Sequence, residues 1–320
     1  MPDDRMIFTA SECERHTLLP GKNTVIMATC QSVMPVFATS FMSALIKSNP
    51  EKVEHFVVCI NGADSRTHDT SLQDSKQSFL EDVRKLKWHG RDMPLTVIRA
   101  WSRIGHTQAM EMAIPWVHTE LYTIIHDDVI VTSGDWADEA QEKLLAEEVA
   151  VCQEFPVLQM STGEIGINGK TFINLPHINS SLCVCKKRAI TETGQRWYGY
   201  HFEKDFVIRE LVNEEMFLEH NKQWIDMDNF VDTAKKYGGA SVDIGGLVWS
   251  ALKRLGYKMV CFDSPKSVHM RGMSWCCDVT TRNRLRLHAK TMNETRRELS
   301  AHPELYRIYE KYGGLHAELL

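Results

Sequence analysis

No run of apolar residues in this chain reaches the roughly 18 that a membrane-spanning helix needs, so the sequence offers no candidate span. Positive charge is not in surplus either. Against 42 Asp and Glu there are 37 Lys and Arg, a net charge of -5, so the basic footprint usual for nucleic-acid binding is missing. Met1 to Glu14 is polar and lacks the apolar h-region of a secretory signal, which points to the cytoplasm. No Cys-x-x-Cys occurs among nine scattered cysteines, an odd number. That argues against a disulfide framework and for a reducing compartment. A zinc site from Cys276, Cys277 and His269 would need adjacent cysteines to act as tetrahedral ligands, for which they are poorly placed. Repeats and low-complexity linkers are also absent.

What is present is a chain of 320 residues with 43% hydrophobic content, enough for one large α/β domain with appendages or two smaller ones. Thr24 to Thr29, His55 to Ile60, Leu95 to Ile98 and Leu121 to Ile125 read as buried strands. Helical periodicity lies between them. Phe37, Phe41 and Leu45 recur on one face before Asn49-Pro50, and Leu72, Phe79, Val83 and Leu86 on another. Thr107 to Val117 can form a short helix. Apolar strands alternating with helices imply a mainly parallel sheet covered on both faces. Further on, Ser133 is a candidate cap for a helix from Trp136 to Glu148, and Val149 to Cys152 and Ser181 to Cys185 are strand-like. Phe155 to Pro176 reads as loop or hairpin, Leu247 to Leu255 as a helix stopped by Gly256, and Lys258 to Phe262 as a last strand. The tail from Arg282 onward is helical in pattern and rich in arginine.

In such sheets ligands bind beyond the carboxyl ends of the strands. The polar residues there are Thr29-Cys30-Gln31, Asn61-Gly62-Ala63-Asp64, Trp101-Ser102-Arg103 and His126-Asp127-Asp128. Two adjacent carboxylates at the end of a buried strand repel each other unless something offsets their charge. A hard divalent cation does so, and commonly bridges carboxylates to substrate phosphates. The plain alternative is an exposed turn or a helix-capping pair.

The segment His126-Asp127-Asp128-Val129-Ile130-Val131-Thr132-Ser133-Gly134-Asp135-Trp136 resembles the metal-binding motif of GT-A-fold glycosyltransferases of the family 2 type. Upstream, Arg103-Ile104-Gly105-His106-Thr107-Gln108-Ala109 resembles that family's segment beside the nucleotide. The similarity covers Thr24 to Trp136 and continues more weakly to His269. It implies a GT-A, Rossmann-like fold: a mixed, mainly parallel sheet with helices on both faces. The implied order is a polar lead-in over 1–22, a transferase domain over 23–275, and a helical C-terminal extension over 276–320. The domain divides into a nucleotide-binding half (23–136) and an acceptor half (137–275).

The activity implied is hexosyl-type transfer from a UDP-, GDP- or dTDP-linked sugar to a hydroxyl of a glycan, lipid-linked or protein acceptor, with Mn²⁺ or Mg²⁺ as cofactor. By position, Asp128 matches the metal-binding carboxylate, Asp127 the variable middle residue, and His126 stands where the family has its first Asp. A His there can bond ribose, coordinate Mn²⁺, or weaken metal dependence. Thr29, Cys30, Gln31 and Asp64 match the loops that hold base and ribose, and Arg103 and Gly105 flank the nucleotide. Asp243, before a helix ending at Gly256, matches the general base of an inverting transfer, although the family's Glu-Asp pair is absent. His269 matches a residue that closes over the diphosphate or completes the metal shell, and Arg271 can help hold phosphate. The aromatics from Trp197 to Phe206 form either an acceptor platform or a satellite core. Arg282, Arg284, Arg286 and Lys290 suit either an anionic membrane surface or solvent. Two rivals stand beside this reading. A nucleotidyltransferase would carry a Gly-rich loop with a cation after the first strand, which Thr29-Cys30-Gln31-Ser32-Val33 lacks. A non-catalytic carbohydrate- or nucleotide-binding protein on a degenerate transferase fold fits His126 and the missing Glu-Asp pair.

Overall fold

The structure, a computed structural model, describes residues 18–29, 32–62, 70–100, 106–155, 161–163, 172–174, 177–178, 181–197, 200–203, 239–242, 245–270 and 279–313. In chain order the first half runs β1 (Leu19–Thr29), α1 (Met34–Ile46), β2 (Val53–Ile60), α2 (Ser71–Arg84), β3 (Lys87–Trp88), β4 (Arg91–Asp92), β5 (Leu95–Arg99), α3 (His106–Ala113), β6 (Thr119–His126) and β7 (Val129–Val131). The second half runs α4 (Trp136–Lys143), β8 (Val149–Gln153), β9 (Ser161–Gly163), β10 (Phe172–Asn174), β11 (Leu182–Lys186), α5 (Lys187–Glu192), β12 (Tyr200–Glu203) and β13 (Gly239–Val242). It continues with α6 (Gly246–Arg254), β14 (Lys258–Cys261), β15 (Ser267–His269), α7 (Val279–Leu299) and α8 (Pro303–Tyr312).

Seven strands form the main sheet in the order β14-β8-β11-β6-β1-β2-β5. β6, β1, β2 and β5 pair in parallel, as do β14 and β8, while β11 runs antiparallel to both its neighbours. The sheet is therefore mixed and mainly parallel, with helices on both faces and a helical C-terminal region, as the sequence implies.

Alternate strand residues feed two cores, because successive side chains point to opposite faces. Val25, Met27, Phe56, Val58 and Ile125 join Phe37, Phe41, Phe79 and Trp136 on one face. Ile26, Ala28, Val57, Cys59 and Ile124 join Ala109, Met110, Val248 and Leu252 on the other. Each Val, Leu, Ile, Met or Phe among them contributes roughly 1.5–3 kcal/mol on burial. On the first face Phe37, Phe41, Phe56 and Phe79 meet at centroid distances of 5.7–6.4 Å, within the range favoured by ring quadrupoles. Cys59, Cys152, Cys183 and Cys185 are buried free thiols, and burial pushes Cys59 and Cys152 up to about 12, as expected of cysteines serving as small hydrophobes.

The C-terminal helices return to the first half of the chain. α7 packs on α1, and α8 on both α1 and α2. Ile308 and Tyr309 enter the first core, where the Tyr309 hydroxyl lies 2.9 Å from Thr39 Oγ1. No helix among the described residues is long and apolar enough to cross a membrane.

Two local expectations need correction, and a third is narrowed. The helix after Asp128 has Asp135 rather than Ser133 at its N-cap position, with no side-chain capping bond, and ends at Lys143 rather than Glu148. Ser133 instead donates to Asp135 Oδ1 at 2.5 Å, which draws the hydroxyl away from the helix N–H groups. The helix expected over Thr107 to Val117 stops at Ala113, and a 3-10 turn carrying Pro115 follows, since proline offers no N–H to a continuing helix. Within the loop-or-hairpin region, β9 and β10 pair antiparallel, so the described part is a hairpin.

Candidate metal and phosphate site

The site lies at the carboxyl ends of β1, β2 and β6. Register places Thr29 beside Ile60 and His126 beside Ala28, so these strand ends lie side by side at one edge of the sheet. After His126 the chain turns through Asp127 and Asp128 into the short strand β7. There β15 pairs with it antiparallel, setting His269 opposite Val129. Met270 N donates to Asp128 O at 2.8 Å, closing the ladder at the site.

This ladder assembles three ligand-type groups from distant parts of the chain. Nitrogens of His126 and His269 and a carboxylate oxygen of Asp128 all lie within 4.8 Å of one another. His269 Nε2 sits 3.1 Å from Asp128 Oδ1, and the two imidazole rings stand 5.9 Å apart at 75°. Asp128 is 1% exposed, so its charge depends on such neighbours. One hard carboxylate and two imidazoles, all within reach of one point, are a donor set that fits a divalent cation such as Mn²⁺.

Asp127 belongs to a different circuit. It is fully buried and accepts a hydrogen bond from Ser32 Oγ at 2.5 Å. Lys76 of α2, also fully buried, donates to Ser32 Oγ at 3.1 Å and to Thr29 Oγ1. The adjacent carboxylates are thus served separately: Asp128 by His269, Asp127 through Ser32 by a buried ammonium. Thr29 is buried and also linked through its carbonyl, which accepts from Asn61 N at 3.1 Å.

Two serines of α1 pin the turn. Ser40 Oγ donates to Val129 O at 2.6 Å and lies 3.1 Å from His126 O. Ser43 Oγ accepts from Val131 N at 2.9 Å. At the start of β15, Glu154, just past β8, accepts the backbone N–H groups of Lys266 and Ser267 at 2.7 and 3.1 Å. Burial nevertheless raises its carboxyl above the usual range. The Lys266 side chain, 3% exposed, is clamped between Asp135 at 2.9 Å and Glu139 at 2.7 Å. His269 is therefore carried on a strand fixed at its base.

Of the residues singled out in the sequence, the structure brings His126, Asp128 and His269 together and turns Asp127 into the buried circuit. Cys30, Gln31, Asp64, Arg103, Gly105, Asp243 and Arg271 lie outside the described residues. Trp197 is core: it is 1% exposed and its Nε1 donates to Tyr122 Oη at 2.9 Å. Gly245, two residues after Asp243, has φ +79°, and a Cβ there would lie 2.8 Å from the Trp197 ring.

Sequence reading passed over Ser32, Ser40, Ser43, Lys76 and His288. Lys76 was detectable, being a lysine in register with Leu72, Phe79 and Val83 on the apolar face of its helix. His288 lies on α7, half-buried. Burial lowers its pKa, the Asp128 charge raises it and His269 lowers it further, so the ring sits in the field of the cluster.

No protein-family model and no curated protein matches this chain. Among solved structures it is similar to a mannosyltransferase from Pyrobaculum calidifontis in complex with GDP-Man and Mn²⁺, at 15% identity over 93% of this chain and 70% of that one, with a TM-score of 0.40. It is similar also to residues 1–349 of TarS from S. aureus, at 11% identity over 91% of this chain and 72% of that one, with a TM-score of 0.40. A third likeness is to 4-diphosphocytidyl-2C-methyl-D-erythritol synthase from Anaerococcus prevotii, at 8% identity over 63% of this chain and 85% of that one, with a TM-score of 0.37. Likeness at these identities and scores assigns no activity to this chain.

Proposed function

We propose that this protein is a glycosyltransferase that moves a sugar from a nucleoside-diphosphate donor to an acceptor hydroxyl with inversion. The observation that carries the reading is the His126–Asp128–His269 cluster, seated at the carboxyl edge of a mainly parallel sheet. Asp128 and His269 would hold the cation, with His126 as third ligand or ribose contact. Two nitrogens in the set favour Mn²⁺ over Mg²⁺, which prefers all-oxygen shells. When bound, such an ion offsets the charge of a leaving diphosphate. Thr29, Cys30, Gln31 and Asp64 would border base and ribose, Arg103 and Gly105 the phosphates, and Asp127 would keep the turn in place from below. Asp243 would take the proton of the acceptor hydroxyl. The proposal extends to a cytoplasmic protein whose α7 carries Arg286 and Lys290, both exposed, as contacts for an anionic membrane surface.

The test is thermal unfolding with UDP, GDP or dTDP, each with and without Mn²⁺. A ligand that binds the native state raises the midpoint. One of the three should raise it by several degrees with Mn²⁺ and much less without, and Asp128→Asn should abolish the metal-dependent part. Absence of any shift with all three would sink the donor-site reading. With the nucleotide known, hydrolysis of its sugar conjugate should be lost in Asp243→Asn while binding persists. Binding with no turnover in the wild type would favour the non-catalytic alternative.

A further inference from the structure

α7 carries a buried stripe. Leu285, Met292, Thr295 and Leu299 are buried, while Arg286, Leu287 and Lys290 face solvent. Leu285 and Met292 pack with Ile130, Met270, Val36 and Val33. Ile130 lies two residues beyond Asp128, and Met270 directly follows His269. Residues three and four apart share a helix face, so His288, between Leu285 and Met292, points where they point. The stripe thus turns the His288 imidazole toward the segments that carry Asp128 and His269. Its electrostatic exchange with Asp128 and His269 agrees with that placement. His288 is not a member of the three-residue cluster whose donor atoms converge within 4.8 Å.

We propose that His288 is a binding residue of the donor site, donating a hydrogen bond to the metal-held diphosphate, and that α7 forms the wall of that site. This rests on the donor-site reading above. Its physical sense is economical: α7 comes from the far end of the chain, yet it is anchored on the same apolar residues that flank the ligands. A hydrogen bond to a phosphate oxygen is charge-assisted, and one directed at the outer phosphate is open to a diphosphate and not to a monophosphate.

The test is calorimetric titration of UDP, GDP, dTDP and the matching monophosphates UMP, GMP and dTMP in saturating Mn²⁺, with Mn²⁺ binding alone followed by electron paramagnetic resonance. His288→Ala should leave Mn²⁺ affinity within about twofold and weaken the preferred diphosphate by about tenfold or more, while the monophosphate changes little. His288→Gln, which keeps a donor and is milder toward packing, should recover part of the loss. Equal affinity of wild type and both variants for the diphosphate would overturn the proposal. So would equal losses for mono- and diphosphate, or loss of Mn²⁺ binding itself, since these denote packing or ligation. A wild type that binds Mn²⁺ but none of the three diphosphates overturns the donor-site reading, and this proposal with it. A wild type that binds the diphosphate alongside unaffected variants overturns only the role of His288.

Discussion

Asp127 and Asp128 are neighbours in sequence but not in chemistry. Asp128 faces the His269 imidazole, while Asp127 faces the Ser32 hydroxyl and, beyond it, a buried ammonium. Removing one member of a buried charged network leaves its partner uncompensated, at a cost of about 3–5 kcal/mol. Lys76→Met is therefore expected to destabilise the fold by that order, measured by urea unfolding. Adding Asp127→Asn should recover a large part, because the stranded charge is then gone. Equal destabilisation in single and double variants would show that the two residues are not coupled.

At the level of elements, α1 is the hub. Its apolar face fills the first core, Ser40 and Ser43 hold the 126–131 turn, and α7 and α8 pack on it. The closest approach is at the end of α8, where a Cβ on Gly313 would lie 2.4 Å from Ala38 Cβ. Gly313→Ala must push α8 off α1, and overpacking of this kind costs about 1–3 kcal/mol. Gly134, where an added Cβ would meet only Lys47 O at 3.9 Å, is the control. A chemical-denaturation midpoint lowered in Gly313→Ala and unmoved in Gly134→Ala is the expected result. Parity between the two would mean that α8 is not seated as described.

For the molecule as a whole, charge ties α8 to α2. Hydrogen bonds from Lys311, Lys85 and Tyr312 hold the Asp82 carboxyl well below the usual carboxylate range. Asp74, Asp92, Asp135, Glu148 and Glu192 are lowered by their own partners, whereas burial raises Glu111 and Glu154. A carboxylate lowered in the folded state adds stability that is present above its unfolded pKa of about 4 and lost as pH falls toward the folded value. Raised Glu111 and Glu154 act in the opposite sense. The lowered groups outnumber them, so stability should decline below about pH 4. Asp82→Asn, which also loosens α8 from α2, should make that decline shallower in unfolding midpoints taken between pH 3 and 7. An unchanged slope would show that the Asp82 contacts contribute nothing in solution.

Much of the scaffold was legible in order along the chain. Buried strands such as Thr24 to Thr29 and Leu121 to Ile125 declare themselves because apolar side chains on both faces leave a continuous run. Their alternation with amphipathic helices leaves few ways to build the sheet. Asp128 was legible for the same reason, as a carboxylate where a buried strand ends, and the family resemblance pointed to His269. Other features were not legible. The antiparallel insertion of β11, the β7–β15 ladder, the Lys76–Ser32–Asp127 circuit and the turn of His288 toward the cluster join residues far apart in sequence. Local periodicity records which face of an element is apolar, not which distant element will cover it. The sequence by itself thus determined the layers and the edge where a ligand would sit. Only the tertiary structure decided how the two carboxylates divide their partners, because that depends on groups brought together by packing.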